Sequence, residues 1–286
     1  MSLPPTYCKQ PHDVIEFDRY CNHCELGQRL QKHNKRVLEL EQKENKTNND
    51  TAYRKKEPLL YSVGGAGPNF SDFSSIRLII LSDFPGSYES DSKNLFPMVD
   101  VLRDQVPRRN GLVKRRNAGS MLRFALHSMY NLDTYHDCWI TNTLKCTPMD
   151  TTPLESKHVK PCVTKWLSNE FYLIDQYLPN IPLLVAGSLA FNSLKFFYKE
   201  DSVWLNKLSF KDSRRRSDLK IGLTKRPFVV TYNPAAIARS EPTITTSFKS
   251  SRKLSLPSHN EWLYPPLPGS PLSSFIKDLF MLSSFL

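Results

Sequence analysis

The apolar positions along the chain repeat with two different periods. Ile76-Arg-Leu-Ile-Ile-Leu81 is a short apolar run that ends at the turn Ser82-Asp83-Phe84-Pro85-Gly86. A run of that length bounded by turn residues reads as a buried strand. Cys138-Trp-Ile-Thr-Asn142, Ile181-Pro-Leu-Leu-Val185 and Phe228-Val-Val-Thr231 read the same way, the last ending at Tyr232-Asn233-Pro234. Between these runs the period becomes helical. Ala118 to Tyr130 has apolar residues at 121, 122, 125, 126 and 129. Glu155 to Leu178 carries Val159, Val163, Trp166, Leu167, Phe171, Ile174 and Leu178, and Gly187-Ser188 opens a helix through Ala190 and Leu194 into Phe197.

Strands that alternate with helices predict an α/β fold, a mostly parallel sheet with helices on both faces. Ligands of such sheets bind beyond the carboxyl ends of the strands. The polar turns after the first, second and fourth strands are therefore expected to line one cleft. The expected organisation is an N-terminal segment 1–30, a polar insertion and loop 31–75, the α/β domain 76–240 and a C-terminal extension 241–286. Gln31 to Pro58 is dense in Lys, Glu, Asn and Gln and reads as a solvated helix followed by a polar loop. The Ser-, Pro- and Leu-rich extension is expected to pack on the domain and to add Trp262 and Leu263 to a surface groove.

Composition narrows the function classes. Hydrophobic residues make up 40% of the 286, enough for a core, which excludes global disorder. A formal net charge of +11 suggests a polyanionic partner, nucleic acid ahead of an anionic membrane. The apolar strip Phe275 to Leu286 is too short to span a bilayer and is interrupted by Lys277 and Asp278. The start MSLPPTYCKQ has no apolar signal core, so a cytoplasmic location is expected. Basic residues cluster at Arg103, Arg108, Arg109, Lys114, Arg115 and Arg116, again at Arg214, Arg215 and Arg216, and at Lys249, Arg252 and Lys253. The candidate backbone-phosphate contacts are Arg108, Arg109, Lys114, Arg115, Arg116 and Arg239.

Six cysteines in a reducing compartment ask for another account than disulfides. Cys21-Asn-His-Cys24 is a C-x2-C pair, and fifteen residues separate Cys146 from Cys162. Four thiolates in two such groups suit a zinc ion or an iron–sulfur cluster. Cys8 and Cys138 read as small buried apolar residues, and His23 as solvent-facing.

Taken in order, these motifs resemble the uracil-DNA glycosylase superfamily, most closely its iron–sulfur (family 4-like) branch. Cys21-x2-Cys24-Glu-Leu26 is similar to that branch's first ligand pair. Leu81-Ser-Asp-Phe-Pro-Gly86 resembles its Gly-Glu-Ala-Pro-Gly motif, and Phe96 with Asn117-Ala118-Gly119 a split form of Pro-Phe-x-Gly-x-Ala-Gly. Ile140-Thr-Asn-x2-Lys-Cys146-x-Pro148 matches Ile-Thr-Asn-x2-Lys-Cys-x-Pro, and Cys162 falls where the fourth ligand belongs. Val185-Ala-Gly-Ser-Leu-Ala190 resembles the Leu-Gly-x2-Ala turn, and Tyr232-Asn-Pro-Ala-Ala236 the closing His-Pro-Ser/Ala motif. Asp83 replaces the family Glu, Phe84 the small residue after it and Asn233 the His, and residues 97–117 are an insertion.

The resemblance implies a three-layer α/β/α domain on a mainly parallel four-stranded sheet, with a structural [4Fe–4S] cluster on Cys21, Cys24, Cys146 and Cys162 (alternative: zinc). It implies a DNA glycosylase that extrudes a pyrimidine nucleotide and hydrolyses its N-glycosidic bond; no Lys marks itself as a Schiff-base nucleophile, so a monofunctional enzyme that leaves an abasic site is expected, acting as a monomer. Asp83 would supply the carboxylate near C1′ and Asn233 a donor to the departing base. Phe84, Phe96 and Asn142 would bind the flipped base, Asn142 through its amide. Uracil is one expected substrate. A bulky modified cytosine in viral DNA is another, and a non-catalytic DNA-binding module on the same fold is the third reading.

Overall fold

The computed structural model describes residues 20–47, 59–62, 64–65, 75–86, 106–108, 111–113, 118–134, 136–148, 154–240 and 271–286. The four expected strands are present as β1 (Leu78–Ser82), β4 (Cys138–Asn142), β5 (Leu183–Ala186) and β7 (Arg226–Thr231). Three short strands join them: β2 (Val106–Arg108), β3 (Gly111–Val113) and β6 (Lys220–Ile221). The central sheet has five strands in the order β4-β1-β5-β7-β6, one more than expected. The first four are parallel, and β6 is an antiparallel edge that pairs with β7. Within the 97–117 insertion β2 and β3 form a separate antiparallel ribbon.

The helices are α1 (Glu25–Thr47), α2 (Ala118–Tyr130), α3 (Ser156–Cys162), α4 (Ser168–Tyr177), α5 (Ser188–Phe197), the short α6 (Ser202–Leu205) and α7 (Phe210–Ser213), α8 (Pro234–Ser240) and α9 (Pro271–Phe280). Every residue of β1, β4 and β5 is buried, as expected for parallel strands covered on both faces. Alternate side chains then serve two cores. Leu78, Ile80, Cys138, Ile140, Leu184 and Val229 pack against α2 and α9. Ile79, Leu81, Trp139, Leu183, Val185, Phe228 and Val230 face apolar residues of α1, α3, α4 and α5. The result is the expected three-layer α/β/α domain.

One expected helix is interrupted. Ser156 to Tyr177 runs as α3, a π-helical turn over Val163–Leu167, then α4. Pro161 inside α3 has no amide hydrogen to give to the helical ladder, and the widened turn follows it directly. Ser168 Oγ donates to the Val163 carbonyl and Asn169 Nδ2 to that of Lys165, so side chains satisfy acceptors of the widened turn.

The polar stretch after the first cysteine pair does form a helix, but α1 begins at Glu25 and crosses the expected boundary at 30. Leu26, Leu30 and Val37 are buried on it. Asn34 anchors it by accepting from the Leu60 amide at 2.9 Å and donating to the Leu60 carbonyl at 2.6 Å. Trp262 and Leu263 lie outside the described residues. The end of the extension is part of the fold. Leu272, Phe275 and Leu279 of α9, with Leu282 after it, complete the second core, and Asp278 accepts from Thr231 Oγ1 at 3.0 Å, tying α9 to the end of β7. Among the described residues no helix is long and apolar enough to cross a membrane.

Phe275 is fully buried and Phe280 is 60% exposed on the same helix. Phe275→Ala is expected to cost about 3–5 kcal/mol, and Phe280→Ala to stay within about 0.5 kcal/mol, by urea denaturation. Equal effects would mean that α9 is not docked as described.

Candidate functional site

Four turns leave the sheet at its carboxyl edge. β1 and β4 run in register to their last residues, Ser82 opposite Asn142. The pairing continues into the turns, where the Thr143 and Leu144 amides donate to the Ser82 and Asp83 carbonyls at 2.8 and 3.0 Å. β5 is followed by Gly187, whose amide donates to the Thr231 carbonyl of β7. The connections diverge from β1 and β5, so this edge is the switch point where α/β sheets bind ligands.

Asp83 sits at that point. Its Oδ1 accepts from the Ala190 amide of α5 at 2.8 Å, and its Oδ2 from Asn233 Nδ2 at 3.0 Å. The Leu189 amide also favours the ionised carboxylate. Burial raises the carboxyl above the ordinary aspartate range, and the Ala190, Asn233 and Leu189 amides pull the other way. Its approach to α5 requires a glycine before the helix. Gly187 has φ +126°, and a Cβ there would lie 2.2 Å from Asp83 Oδ1. A carboxylate accepts about four hydrogen bonds. The bonds from Ala190 and Asn233 leave acceptor capacity on both oxygens.

Asn233 has a fixed orientation. Its Oδ1 accepts from the Ala235 amide at 2.8 Å, as a residue opening α8 does, while Nδ2 reaches Asp83 and lies 3.4 Å from Ser82 Oγ. The donor that the resemblance assigns to the base is thus engaged by Asp83. Asn142 is the opposite case. It is 1% exposed, and neither Nδ2 nor Oδ1 has a hydrogen-bond partner among the described residues. Each idle buried atom costs about 1–3 kcal/mol. Asn142 is one strand from Ser82, about 4.8 Å across a sheet, so Asp83, Asn142 and Asn233 gather at one edge.

Phe84 is 38% exposed on the turn after β1. Phe96, Arg109, Lys114, Arg115 and Arg116 lie outside the described residues. Arg108 is in β2 and Arg239 in α8, by backbone position.

Cys21, Cys24, Cys146 and Cys162 are all buried, between 3% and 7% exposed, in one core cluster. Cys21 and Cys24 come from the segment just before α1, Cys146 from the turn after β4 and Cys162 from the end of α3. Burial pushes the Cys162 thiol up to about 12 and raises Cys146 as well, and the nearby Cys21 and Cys24 sulfurs add to both shifts. Hydrogen-bond donors face them: Trp166 Nε1 donates to Cys21 Sγ at 3.3 Å, the Lys145 amide to Cys162 Sγ at 3.4 Å, and Ser62 Oγ lies 3.2 Å from Cys146 Sγ. Among the described residues no three His, Cys, Asp or Glu side chains are placed to hold a metal ion. The donor set is all sulfur, as iron–sulfur chemistry uses, and a cluster spreads its ligands around a wider body than one ion. His23 is exposed and Cys138 is buried in the other core, as expected.

A buried ion pair between the two centres had not been expected. Lys145 Nζ lies 2.6 Å from Glu170 Oε2, both side chains 1% exposed. Glu170 also accepts from Trp139 Nε1 and Thr141 Oγ1, each at 2.9 Å. The signal was present: Glu170 interrupts the apolar stripe Val163, Trp166, Leu167, Phe171, Ile174. The pair holds the turn whose ends carry Asn142 and Cys146.

The sequence model of the uracil DNA glycosylase superfamily matches residues 68–253, well over half of the chain. The matched span holds Asp83, Asn142, Cys146, Cys162 and Asn233, while Cys21, Cys24 and α9 lie outside it. No curated protein matches the chain.

Lys145→Met leaves Glu170 charged, buried and unpaired, and is expected to cost about 3–5 kcal/mol in chemical denaturation. Adding Glu170→Gln, which removes the charge and keeps an acceptor for Trp139, should recover most of that loss. No recovery in the double variant would contradict the assignment of the cost to the unpaired carboxylate.

Proposed function

The chain belongs to the uracil DNA glycosylase superfamily, and from that premise we propose that it is a monofunctional DNA glycosylase acting on an extruded pyrimidine. A base inside a duplex cannot be attacked in place, so the nucleotide swings out at a cost of a few kcal/mol. The observation that carries the reading is Asn142, whose buried donor and acceptor are both idle among the described residues. A pyrimidine edge offers an adjacent donor and acceptor that complete them. The ring carbonyl and N3–H of uracil pair with the amide one way round, and the amino group and N3 of cytosine pair with it after a half-turn. With no protein partner among the described residues to fix the amide, Asn142 reads a pyrimidine edge without choosing between the two.

The reaction breaks the bond between C1′ and the base nitrogen. The electron pair leaves with the base, water oxygen bonds to C1′, and the water's proton ends on the departing base. Asp83 is the carboxylate that orients the water and offsets positive charge on the sugar, using the acceptor capacity its bonds to Ala190 and Asn233 leave open. Asn233 is a positioning residue that holds the carboxylate in place from β7. The exposed Phe84 adds an apolar surface beside the base. A bulky modified cytosine fits this reading as well as uracil does.

We also propose that Cys21, Cys24, Cys146 and Cys162 hold a [4Fe–4S] cluster. Their shared burial, their all-sulfur donor set and the donors directed at three of the sulfurs support it. Bound there, the cluster would supply structural cross-linking of α1, α3 and the turn after β4. Anaerobically purified protein should contain roughly four irons and four sulfides per chain. Zinc in their place, or no metal, would overturn the assignment.

Incubation with duplexes that carry different pyrimidines, with any released base identified by mass, tests the activity. A released pyrimidine and an intact strand are expected, and strand cleavage without alkali or heat would contradict the monofunctional reading. Asp83→Asn should lower single-turnover excision by at least about a hundredfold while duplex affinity changes little. The ionised carboxylate is the active form, so excision is present above its pKa and lost as pH falls through it. Because burial raises that pKa, the acid limb should lie above the ordinary aspartate value of about 3.9. Unchanged excision in Asp83→Asn would remove Asp83 from the mechanism.

A further inference from the structure

A groove of about 550 Å³ lies where α7 and α9 meet the end of β7, lined by Lys211, Arg214, Arg215, Tyr232 and Lys277. Only some of these cations are engaged. Arg214 pairs with Asp278 through Nε and Nη2, at 2.8 Å each, and its guanidinium lies 3.4 Å from the centre of the Tyr232 ring. Arg216, beside the groove in sequence, pairs with Asp218. Lys211, Arg215 and Lys277 are exposed and form no ion pair among the described residues. The single acid lining the groove, Asp278, is spent on Arg214 and Thr231. Three unneutralised cations facing one open space repel one another unless a polyanion enters.

Position identifies the polyanion. Tyr232 immediately precedes Asn233, whose amide bonds Asp83, so the groove begins where the proposed cleft ends. We infer that Lys211, Arg215 and Lys277 seat backbone phosphates of the DNA strand that flanks the extruded nucleotide. The contact is assigned to backbone rather than bases, because the groove presents cations and Arg214 already covers one face of the Tyr232 ring, its aromatic side chain. Neutralising phosphates with fixed cations releases counterions, so this groove contributes to salt-dependent affinity without reading sequence. It also gives the C-terminal extension a function, since Lys277 comes from α9, outside the span that the family model matches. The inference rests on the proposed function in taking the polyanion to be DNA and the extruded nucleotide to lie at Asp83.

The test is fluorescence anisotropy of the full chain with an unmodified duplex across a salt series. Lys211→Gln/Arg215→Gln/Lys277→Gln should flatten the plot of log affinity against log salt by about 2–3. A control variant neutralises three exposed cations of α1, Lys32→Gln/Lys35→Gln/Arg36→Gln, and should flatten the plot by less than about 1. Lys277→Gln alone, which should flatten it by about 1, keeps the test open should the triple variant not fold. An unchanged slope, an equal fall in the control, or competition by poly-glutamate as effective as by duplex would overturn the inference. A protein that releases no base would defeat the proposed chemistry and leave this readout standing.

Discussion

The site depends on one carboxylate bonded across three elements. Asp83 leaves β1, accepts the Ala190 backbone amide from the first turn of α5, and accepts the Asn233 side-chain amide just past the end of β7. A helix N-terminus favours negative charge there, and the glycine before α5 makes room for it. Burial alone would push the proton back on. The ring of donors resists that, so the carboxyl is held in one orientation with an acceptor position to spare. Asp83 and Asn233, the residues that stand against a Glu and a His in the motifs the sequence resembles, are bonded to each other.

Behind this carboxylate, a single turn serves two proposed centres. Asn142 closes β4, and Cys146 follows four residues later, with Lys145 anchored on Glu170 in between. Whatever fixes Cys146 therefore also fixes the idle amide of Asn142. A buried ion pair is weak evidence for stability. Here it sets the path of a five-residue stretch. On the proposed reading the cluster and the base reader are parts of one rigid support, and the cluster's work is mechanical.

Much of this was legible in the residue pattern, for physical reasons. Parallel strands covered on both faces become unbroken apolar runs, and the four such runs are the four parallel strands. Helix α2 covers the periodic stretch Ala118 to Tyr130, and α5 starts at the Gly187-Ser188 turn. What escaped had weaker or non-local causes. β6 is two residues long, and the β2–β3 ribbon sits in a basic insertion without apolar alternation. The π turn follows from Pro161, whose effect on a helix depends on neighbouring donors. α9 has helical spacing, but its place in the core depends on a surface left open by the far-off β7 and α2. The partner of Asn233 could not be read at all, because 150 residues separate it from Asp83. A turn residue does not announce which side chain it will meet.

The account is tested most directly by a crystal structure of Asp83→Asn bound to a duplex that carries its released pyrimidine. The pyrimidine should lie outside the stack with its edge about 2.7–3.2 Å from both amide atoms of Asn142. A base still stacked in the duplex, or one extruded to a place that leaves the Asn142 amide unpaired, would contradict it.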